Sequence, residues 1–269
     1  MNFTYYLLPF LCALGSVAAA TVTLPKGATL LESRKGLKLS ELQNRYQINT
    51  REAESIQKAK QKYFTHPGYP LKWFNESFLK QIHREMFGEI WDWAGIYYSG
   101  PLRNIGIESS DIPSQMQALC KEVHYCLKEK TSLTFLQQSV RIQHRILQIH
   151  PFTNGNGRFA RLVGDLYLQS LQGTKPDWPE QAILEDLEIR QTYVEALKLA
   201  DSGNFFPLEQ LYERFGARNP SIMQVVENPF YERHFSLQKQ IELIANLHVF
   251  GCPIAIVLLK SKNNPRQPF

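Results

Sequence analysis

A chain of 269 residues is long enough to bury a sizeable hydrophobic core as one large domain. Its hydrophobic fraction of 43% and its charged fraction of 20% are ordinary for a globular protein. The net charge of +5 is modest and basic residues are interspersed with acidic ones, so we expect no nucleic-acid partner. Four cysteines without a CxxC pair or a metal-ligand spacing argue against a zinc site.

The first twenty residues are the most apolar part of the chain. Residues 5–20 are almost continuously apolar and end in three alanines, which suit a signal-peptidase site. No lysine or arginine precedes this stretch, and Pro9 lies within it. Two interpretations of residues 1–22 stay open: a signal peptide or a start codon assigned too early. We therefore expect a cytoplasmic protein or, alternatively, one exported through residues 1–20.

Helical patterns continue along most of the remaining chain. The segment at about 40–63 is amphipathic and contains no glycine or proline. Asn75 is placed to cap a second helix that ends at Gly88. Further helices are predicted at about 113–128, 135–149, 158–172, 180–200 and 207–214. The sequence therefore predicts an all-α fold.

Residues 150–161, HPFTNGNGRFAR, contain the features of an anion-binding loop. Gly155 and Gly157 lack a Cβ, so the backbone there can adopt positive φ and bring its N–H groups close to an anion. Arg158 and Arg161 follow at the start of a predicted helix, whose N-terminus favours negative charge. These features together indicate a site for a nucleotide phosphate.

His150 stands at the end of the preceding predicted helix, which Pro151 terminates. A histidine titrates near neutral pH, so His150 is a candidate general base that accepts a hydroxyl proton as the hydroxyl attacks phosphorus. The alternative is a plain His-Pro helix stop followed by a glycine-rich loop and a solvated basic helix face. The complete string of twelve residues favours the catalytic interpretation.

The same string resembles the pattern HPFx(D/E/N)GNGRxxR of the Fic family, whose members typically transfer AMP from ATP to a protein hydroxyl. The resemblance implies the Fic fold, a helical bundle with one short β-hairpin flap. It implies that His150 is the catalytic base and that Phe152 is a buried anchor for the loop. The implied phosphate-binding residues are Gly155, Asn156, Gly157, Arg158 and Arg161.

Asn154 stands where the commonest form of the motif has Asp or Glu. By the resemblance, this residue ligates the Mg²⁺ that bridges the nucleotide phosphates. An amide oxygen is neutral and therefore a weaker ligand for a hard cation than a carboxylate. We expect Mg²⁺ to bind through Asn154, but less tightly than through an acid.

Two other segments extend the resemblance. Residues 86–95, MFGEIWDWAG, are similar to the aromatic segment after the first core helix of Fic domains. Residues 103–107 resemble the flap that holds a target segment by main-chain pairing, although an ordinary surface turn is the alternative. The implied docking residues are Arg103, Asn104, Ile105 and Gly106.

The order of elements and the start at residues 26–29, KGAT, resemble the subgroup called mobile mystery protein B. The likeness covers about residues 24–215. The expected organisation is an N-terminal helical segment at 24–70, a Fic core domain at 71–215, and a C-terminal extension of unassigned role at 216–269.

Many Fic proteins carry an inhibitory helix with the pattern (S/T)xxxE(G/N), whose glutamate pairs with the second arginine of the motif. Only Thr50 to Glu54 has this spacing here, and Ser55 follows instead of Gly or Asn. The resemblance implies a pair between Glu54 and Arg161. The alternative is an acidic, capped first helix turn.

We therefore predict a protein adenylyltransferase that uses ATP and Mg²⁺ to modify a Ser, Thr or Tyr hydroxyl of a target protein. The target can include the protein itself, and a regulatory partner chain is a further expectation. Two alternatives stay open: a Fic-fold phosphotransferase or toxin-like module with a different phosphate-containing donor, and a non-catalytic nucleotide-binding module. An intact His150 argues against the last, because binding alone requires no base.

Overall fold

The structure is a computed structural model. It describes residues 34–246 except residues 43, 129–130 and 186, and these residues belong to one compact unit. The predicted signal peptide or early start at 1–22 and the last residues, 247–269, lie outside the described part. None of the described helices combines the length and the apolar character that crossing a bilayer requires.

The predicted all-α fold is confirmed, because every regular element in the described part is helical. A 3₁₀ turn, Ser109–Asp111, lies directly before the helix that begins at Ile112. The α-helices are α1 (Arg45–Thr65), α2 (Pro70–Trp73), α3 (Glu76–Phe87), α4 (Ile112–Lys128), α5 (Phe135–Ile149), α6 (Asn156–Ser170), α7 (Glu180–Glu185), α8 (Leu187–Asp201), α9 (Phe206–Arg214), α10 (Ile222–Glu227), α11 (Pro229–His234) and α12 (Leu237–Asn246).

Side-chain caps set the boundaries of the helices that precede the site. Asn75 accepts a hydrogen bond from the Phe78 N–H, and the predicted start of α3 is confirmed. The first helix begins at Arg45 rather than near residue 40 because Asn44 and Gln47 form a reciprocal capping box. Thr134 caps α5 in the same way. These caps satisfy N–H groups that a helix start would otherwise leave without partners.

Helices α5 and α6 form the centre of the fold. Helix α6 is buried on nearly every side, as expected of a helix surrounded by others. Ser139 in α5 donates a hydrogen bond to the Gly164 carbonyl in α6 at 2.8 Å. A Cβ at position 164 would lie 3.0 Å from the Tyr212 hydroxyl, so glycine permits this close approach. The motif 150–161 therefore joins the two most buried helices.

The predicted β-hairpin flap at 103–107 is not formed, and this part of the prediction was wrong. Residues 103–107 contain bends without strand pairing. The nearest strand-like contact is an isolated bridge between Tyr97 and Phe152. The physical reason is that the Arg103 side chain turns inward and donates to the carbonyl groups of the motif, which holds the segment as an irregular loop against the end of α5.

Part of the C-terminal extension packs against the rest of the unit. Tyr231 is fully buried and donates a hydrogen bond to the Leu171 carbonyl, just after α6, at 2.7 Å. The Phe235 ring packs against the rings of Phe135 and Tyr69. Residues 217–246 thus contribute side chains to the same hydrophobic core as the motif helices.

Candidate active site

His150 ends α5 in a left-handed backbone conformation, with φ 54° and ψ 57°. Its N–H still donates to the Ile146 carbonyl at 2.9 Å, so it closes the last helical turn. A side chain at positive φ costs about 1–2 kcal/mol, because its Cβ crowds the following carbonyl oxygen. Pro151 prevents the helix from continuing. The chain therefore reverses at His150 and enters the loop that leads to α6.

His150 is 8% exposed, and its lowered pKa keeps the imidazole neutral at pH 7. Burial lowers the pKa of His150 to about 4, and the positive charge of Arg103 lowers it further, while a contact with the Leu147 backbone acts in the opposite direction. A neutral imidazole is the form that accepts a proton. The structure thus places a proton acceptor at the start of the motif loop.

Arg103 holds the two sides of the Pro151 turn together. Its guanidinium donates to the His150 carbonyl at 2.7 Å and to the Phe152 carbonyl at 2.9 Å. The same group lies over the Tyr98 ring, 3.8 Å from its centroid. The sequence placed Arg103 among residues that dock a target, but in the structure its guanidinium faces the main chain of the motif.

The other predicted docking residues lie in the loop beside His150. Asn104 and Ile105 are exposed. Gly106 has φ 101°, and a Cβ there would lie 2.7 Å from the Cβ of His150. Only glycine therefore allows this loop to lie against the histidine.

The two motif glycines differ in what they require. Gly155 has φ 78°, and a Cβ there would lie 2.5 Å from the Phe87 ring, so both its conformation and its surroundings demand glycine. Gly157 lies inside α6 without positive φ, and a Cβ there would be 3.7 Å from its nearest neighbour, the Arg161 Nη1. The expectation of positive φ is thus fulfilled at Gly155 and wrong at Gly157, because α6 already begins at residue 156.

Asn156 fixes the loop with its side chain. Its Oδ1 accepts from the Phe152 N–H at 2.9 Å and its Nδ2 donates to the Phe152 carbonyl at 2.8 Å. What Asn156 offers to a ligand is its backbone N–H at the start of α6, where N–H groups lack helical partners. Such an N-terminus, followed by arginines, is suited to bind phosphate.

Asn154 precedes this N-terminus, and its Oδ1 accepts from the Gly155 N–H at 2.7 Å. A second lone pair on that oxygen stays available for a cation. In residues 34–246, where described, no group of three or more His, Cys, Asp or Glu side chains is arranged to hold a metal. One neutral protein oxygen fits Mg²⁺ only when the nucleotide phosphates and water supply the other ligands.

Arg158 is paired with a carboxylate of the first helix. Its Nη1 lies 2.8 Å from Glu52 Oε2, and its guanidinium lies 4.8 Å from the centroid of the Phe87 ring. The other Glu52 oxygen accepts from the Trp91 Nε1 at 2.7 Å. Glu52 is 2% exposed, so this carboxylate is buried and has a partner at each oxygen.

Arg161 is paired with a carboxylate of α7. Its Nη2 lies 2.5 Å from Glu180 Oε2, and Lys60 lies 3.3 Å from the other Glu180 oxygen. Burial alone would raise the pKa of Glu180, but Arg161 and Lys60 hold it below its ordinary value. The Arg161 guanidinium is therefore engaged inside the fold.

The predicted pair between Glu54 and Arg161 is not formed. Glu54 is exposed and pairs with Arg51 on the surface of α1 at 2.7 Å. The reason is helical periodicity: Glu52 shares the buried face of α1 with Ile48 and Ile56, each four residues away, whereas Glu54 lies off that face. Sequence analysis missed Glu52, although this spacing was a usable signal.

Glu180 and His83 were missed as well. Glu180 contacts Arg161 although the two residues are 19 positions apart in the sequence, and no local pattern indicates this pair. His83 stacks on the buried Phe152 ring, with centroids 3.7 Å apart. The expectation that Phe152 is a buried anchor is confirmed, since its side chain is fully buried.

Comparison with known proteins gives one family and a set of related folds. Residues 73–168 match the model of the Fic/DOC family. A comparison with curated protein sequences gave no match.

The solved structures with a similar fold include the following three. BepC, a VirB-translocated effector protein from Bartonella tribocorum with bound AMPPNP, is 19% identical, with a TM-score of 0.51 over 70% of this chain and 98% of that chain. The N-terminal Fic domain of a cell filamentation protein from Bartonella quintana is 16% identical and has a TM-score of 0.54 over 71% of this chain and 91% of that chain. The structure of a Bartonella quintana Fic domain with bound ADP, also 16% identical, gives 0.51 over 68% and 90%. Residues 73–168, which match the model of the Fic/DOC family, contain His150, the glycine loop and both arginines.

Proposed function

We propose that this protein is an adenylyltransferase, which transfers AMP from ATP to a Ser, Thr or Tyr hydroxyl of a protein. The observation that supports it most strongly is the position of a neutral imidazole one short loop away from a helix N-terminus that carries two arginines. A related fold holds AMPPNP and another holds ADP, which supports a nucleotide as the ligand of this loop.

In the proposed reaction, His150 acts on the target and α6 acts on the nucleotide. The hydroxyl oxygen forms a bond to the α-phosphorus, the bond from that phosphorus to the bridging oxygen breaks, and pyrophosphate leaves. The hydroxyl proton passes to His150, whose lowered pKa keeps the imidazole unprotonated and therefore able to accept it. The N–H groups at the start of α6 and the two guanidiniums stabilise the negative charge on the phosphate oxygens.

Asn154 would hold Mg²⁺ through its Oδ1, and the cation would neutralise phosphate charge when bound. The protein supplies a single neutral oxygen here, so the affinity of this Mg²⁺ depends mainly on the nucleotide. We infer that the free protein binds Mg²⁺ weakly.

Both motif arginines are held by ion pairs in the structure. Arg158 is engaged by Glu52 and Arg161 by Glu180, so each of these carboxylates competes with a nucleotide phosphate for the guanidinium that it pairs with. Glu52, from the helix that precedes the core, competes with the nucleotide for Arg158. In this proposal Glu52 takes the inhibitory role that the sequence suggested for Glu54.

Parallel incubations with α-labelled and γ-labelled ATP test the proposed reaction. The adenylyltransferase incorporates the α-label into protein and leaves the γ-label in pyrophosphate. Incorporation of the γ-label would instead identify a phosphotransferase. Binding of ATP without incorporation of either label, with Mg²⁺ and candidate targets present, would favour a non-catalytic module.

A further inference from the structure

His83 is a fully buried histidine of α3 that bridges two loops. Its Nδ1 accepts a hydrogen bond from the Gly95 N–H at 3.0 Å, and its Nε2 lies 3.0 Å from the main-chain oxygen of Asn154. A nitrogen that accepts carries no proton, so the proton of the neutral ring is on Nε2, which donates to the Asn154 carbonyl. The two partners therefore select one tautomer.

The aromatic rings around His83 fix its plane. The imidazole stacks on Phe152 with an interplanar angle of 18°, and Phe159 meets it edge-on at 5.5 Å between centroids. Both phenylalanines belong to the motif. Burial lowers the pKa of His83 to about 3, so the ring stays neutral at physiological pH and keeps its single donor.

The hydrogen bond from His83 to the Asn154 carbonyl sets the orientation of the Asn154–Gly155 peptide in the loop. The Asn154 carbonyl and the Gly155 N–H belong to one planar trans peptide, so they point in opposite directions. With the carbonyl directed to His83, the N–H is directed away, where the Asn154 Oδ1 accepts it at 2.7 Å. The next residue, Asn156, begins α6. His83 therefore orients the peptide immediately before the N–H groups that would bind phosphate.

We propose that His83 is a positioning residue for the phosphate loop, residues 153–157: its Nε2–H fixes the Asn154–Gly155 peptide, and with it the Asn154 side-chain oxygen and the start of α6. This inference rests on the proposed function for the identity of the ligand. A residue that only fills the core would affect overall stability and all ligands alike. A positioning residue affects the part of the binding affinity that depends on phosphate.

Two variants separate the hydrogen bonds of His83. In His83→Asn, the amide oxygen retains an acceptor for the Gly95 N–H, but the side chain is too short to reach the Asn154 carbonyl. In His83→Gln, the amide nitrogen reaches the position of Nε2 and retains the donor. The matched control is His124→Asn on α4, because His124 Nε2 lies 2.9 Å from the Phe74 carbonyl, outside the motif.

Calorimetric affinities for AMPPNP and for adenosine give the first readout. In His83→Asn we expect the AMPPNP affinity to fall about tenfold, as for the loss of one well-placed hydrogen bond, with the adenosine affinity unchanged. His83→Gln should retain most of the AMPPNP affinity, and His124→Asn should match the wild type for both ligands. Equal loss for both ligands, or no loss in His83→Asn, would overturn the assignment.

A second readout needs no nucleotide. Hydrogen exchange of the Gly155 amide, followed by NMR, should be faster in His83→Asn and close to wild type in His83→Gln and His124→Asn. Unchanged Gly155 exchange in His83→Asn would overturn the positioning role. If the wild type binds AMPPNP no more tightly than adenosine, the proposed function fails instead, and the exchange data still decide the role of His83.

Discussion

At the scale of single residues, His150 combines a left-handed backbone with a buried ring. The motif alone was sufficient to nominate it as a base, because a His-Pro stop before a glycine loop is a local pattern. The positive φ was not predictable from that pattern, since it depends on how the loop containing Gly106 packs beside the His150 Cβ. A strained backbone at a candidate catalytic residue is itself typical of functional sites.

Replacing His150 by glycine or by alanine measures this strain. Glycine normally destabilises a fold relative to alanine, because it loses more backbone entropy. Here we expect His150→Gly to be more stable than His150→Ala by about 1 kcal/mol, because only glycine adopts φ 54° freely. Urea unfolding of both variants gives the comparison. An alanine variant as stable as the glycine variant would show that this backbone carries no strain.

Arg103 links the loop to the protonation of His150. Because the active base is neutral, activity is retained above the pKa of His150, about 4, and lost as the pH falls through it. The wild-type kcat/KM should therefore be level between pH 5 and 8. In Arg103→Gln the amide can still donate to a motif carbonyl, but the positive charge is gone, so the pKa of His150 rises and the acid limb moves to higher pH. An acid limb at the same pH in both proteins would contradict the assigned influence of Arg103.

At the scale of elements, the sequence predicted most of the site's framework. Capping residues and apolar periodicity are local signals, and α3, α4 and α5 lie within a residue of their predicted bounds. The predicted hairpin flap was wrong because it was inferred from a resemblance. The hydrogen bonds that Arg103 donates to the motif carbonyls determine the conformation of this segment. The predicted inhibitory residue, Glu54, lies two positions from the buried Glu52. The short motif pattern contains no information on which face of α1 is buried, whereas Ile48 and Ile56 define that face.

Glu52→Gln tests the restraint that α1 exerts. The amide oxygen still accepts from Trp91 Nε1, but the negative charge opposite Arg158 is removed, so we expect AMPPNP affinity to increase several-fold. Glu54→Gln is the matched control on the same helix, since Glu54 contacts the exposed Arg51, and it should bind as the wild type does. Calorimetric titration of the three proteins gives the result. Equal affinities in Glu52→Gln and Glu54→Gln would exclude Glu52 as a competitor of the nucleotide.

At the scale of the whole molecule, the C-terminal helices α10, α11 and α12 share the core of the motif helices. Their packing was not predictable, because the contact of Tyr231 with Leu171 joins residues 60 positions apart, and no local pattern specifies such a partner. The hydrogen bond lies at the end of α6, the helix whose start would bind phosphate. Loss of this packing should therefore destabilise α6, which carries the candidate site, as well as the C-terminal extension.

Truncating Tyr231 measures this contribution. Tyr231→Ala should lower the free energy of unfolding by about 3–5 kcal/mol, because a fully buried aromatic ring is removed. Met223→Ala, at a 53% exposed position of α10, should change it by less than about 0.5 kcal/mol. Urea unfolding followed by far-UV circular dichroism checks both. A small effect of Tyr231→Ala would show that these helices are not part of the cooperative unit.

In the proposed mechanism, His150 removes the proton of a target hydroxyl while the N-terminus of α6 holds ATP separately. The most direct test measures two quantities in His150→Ala: the single-turnover rate of AMP transfer to protein and the affinity for AMPPNP. We expect a rate lowered by about 10²–10⁴, as for the loss of a general base, with nucleotide affinity close to wild type. An unchanged transfer rate in His150→Ala would contradict it.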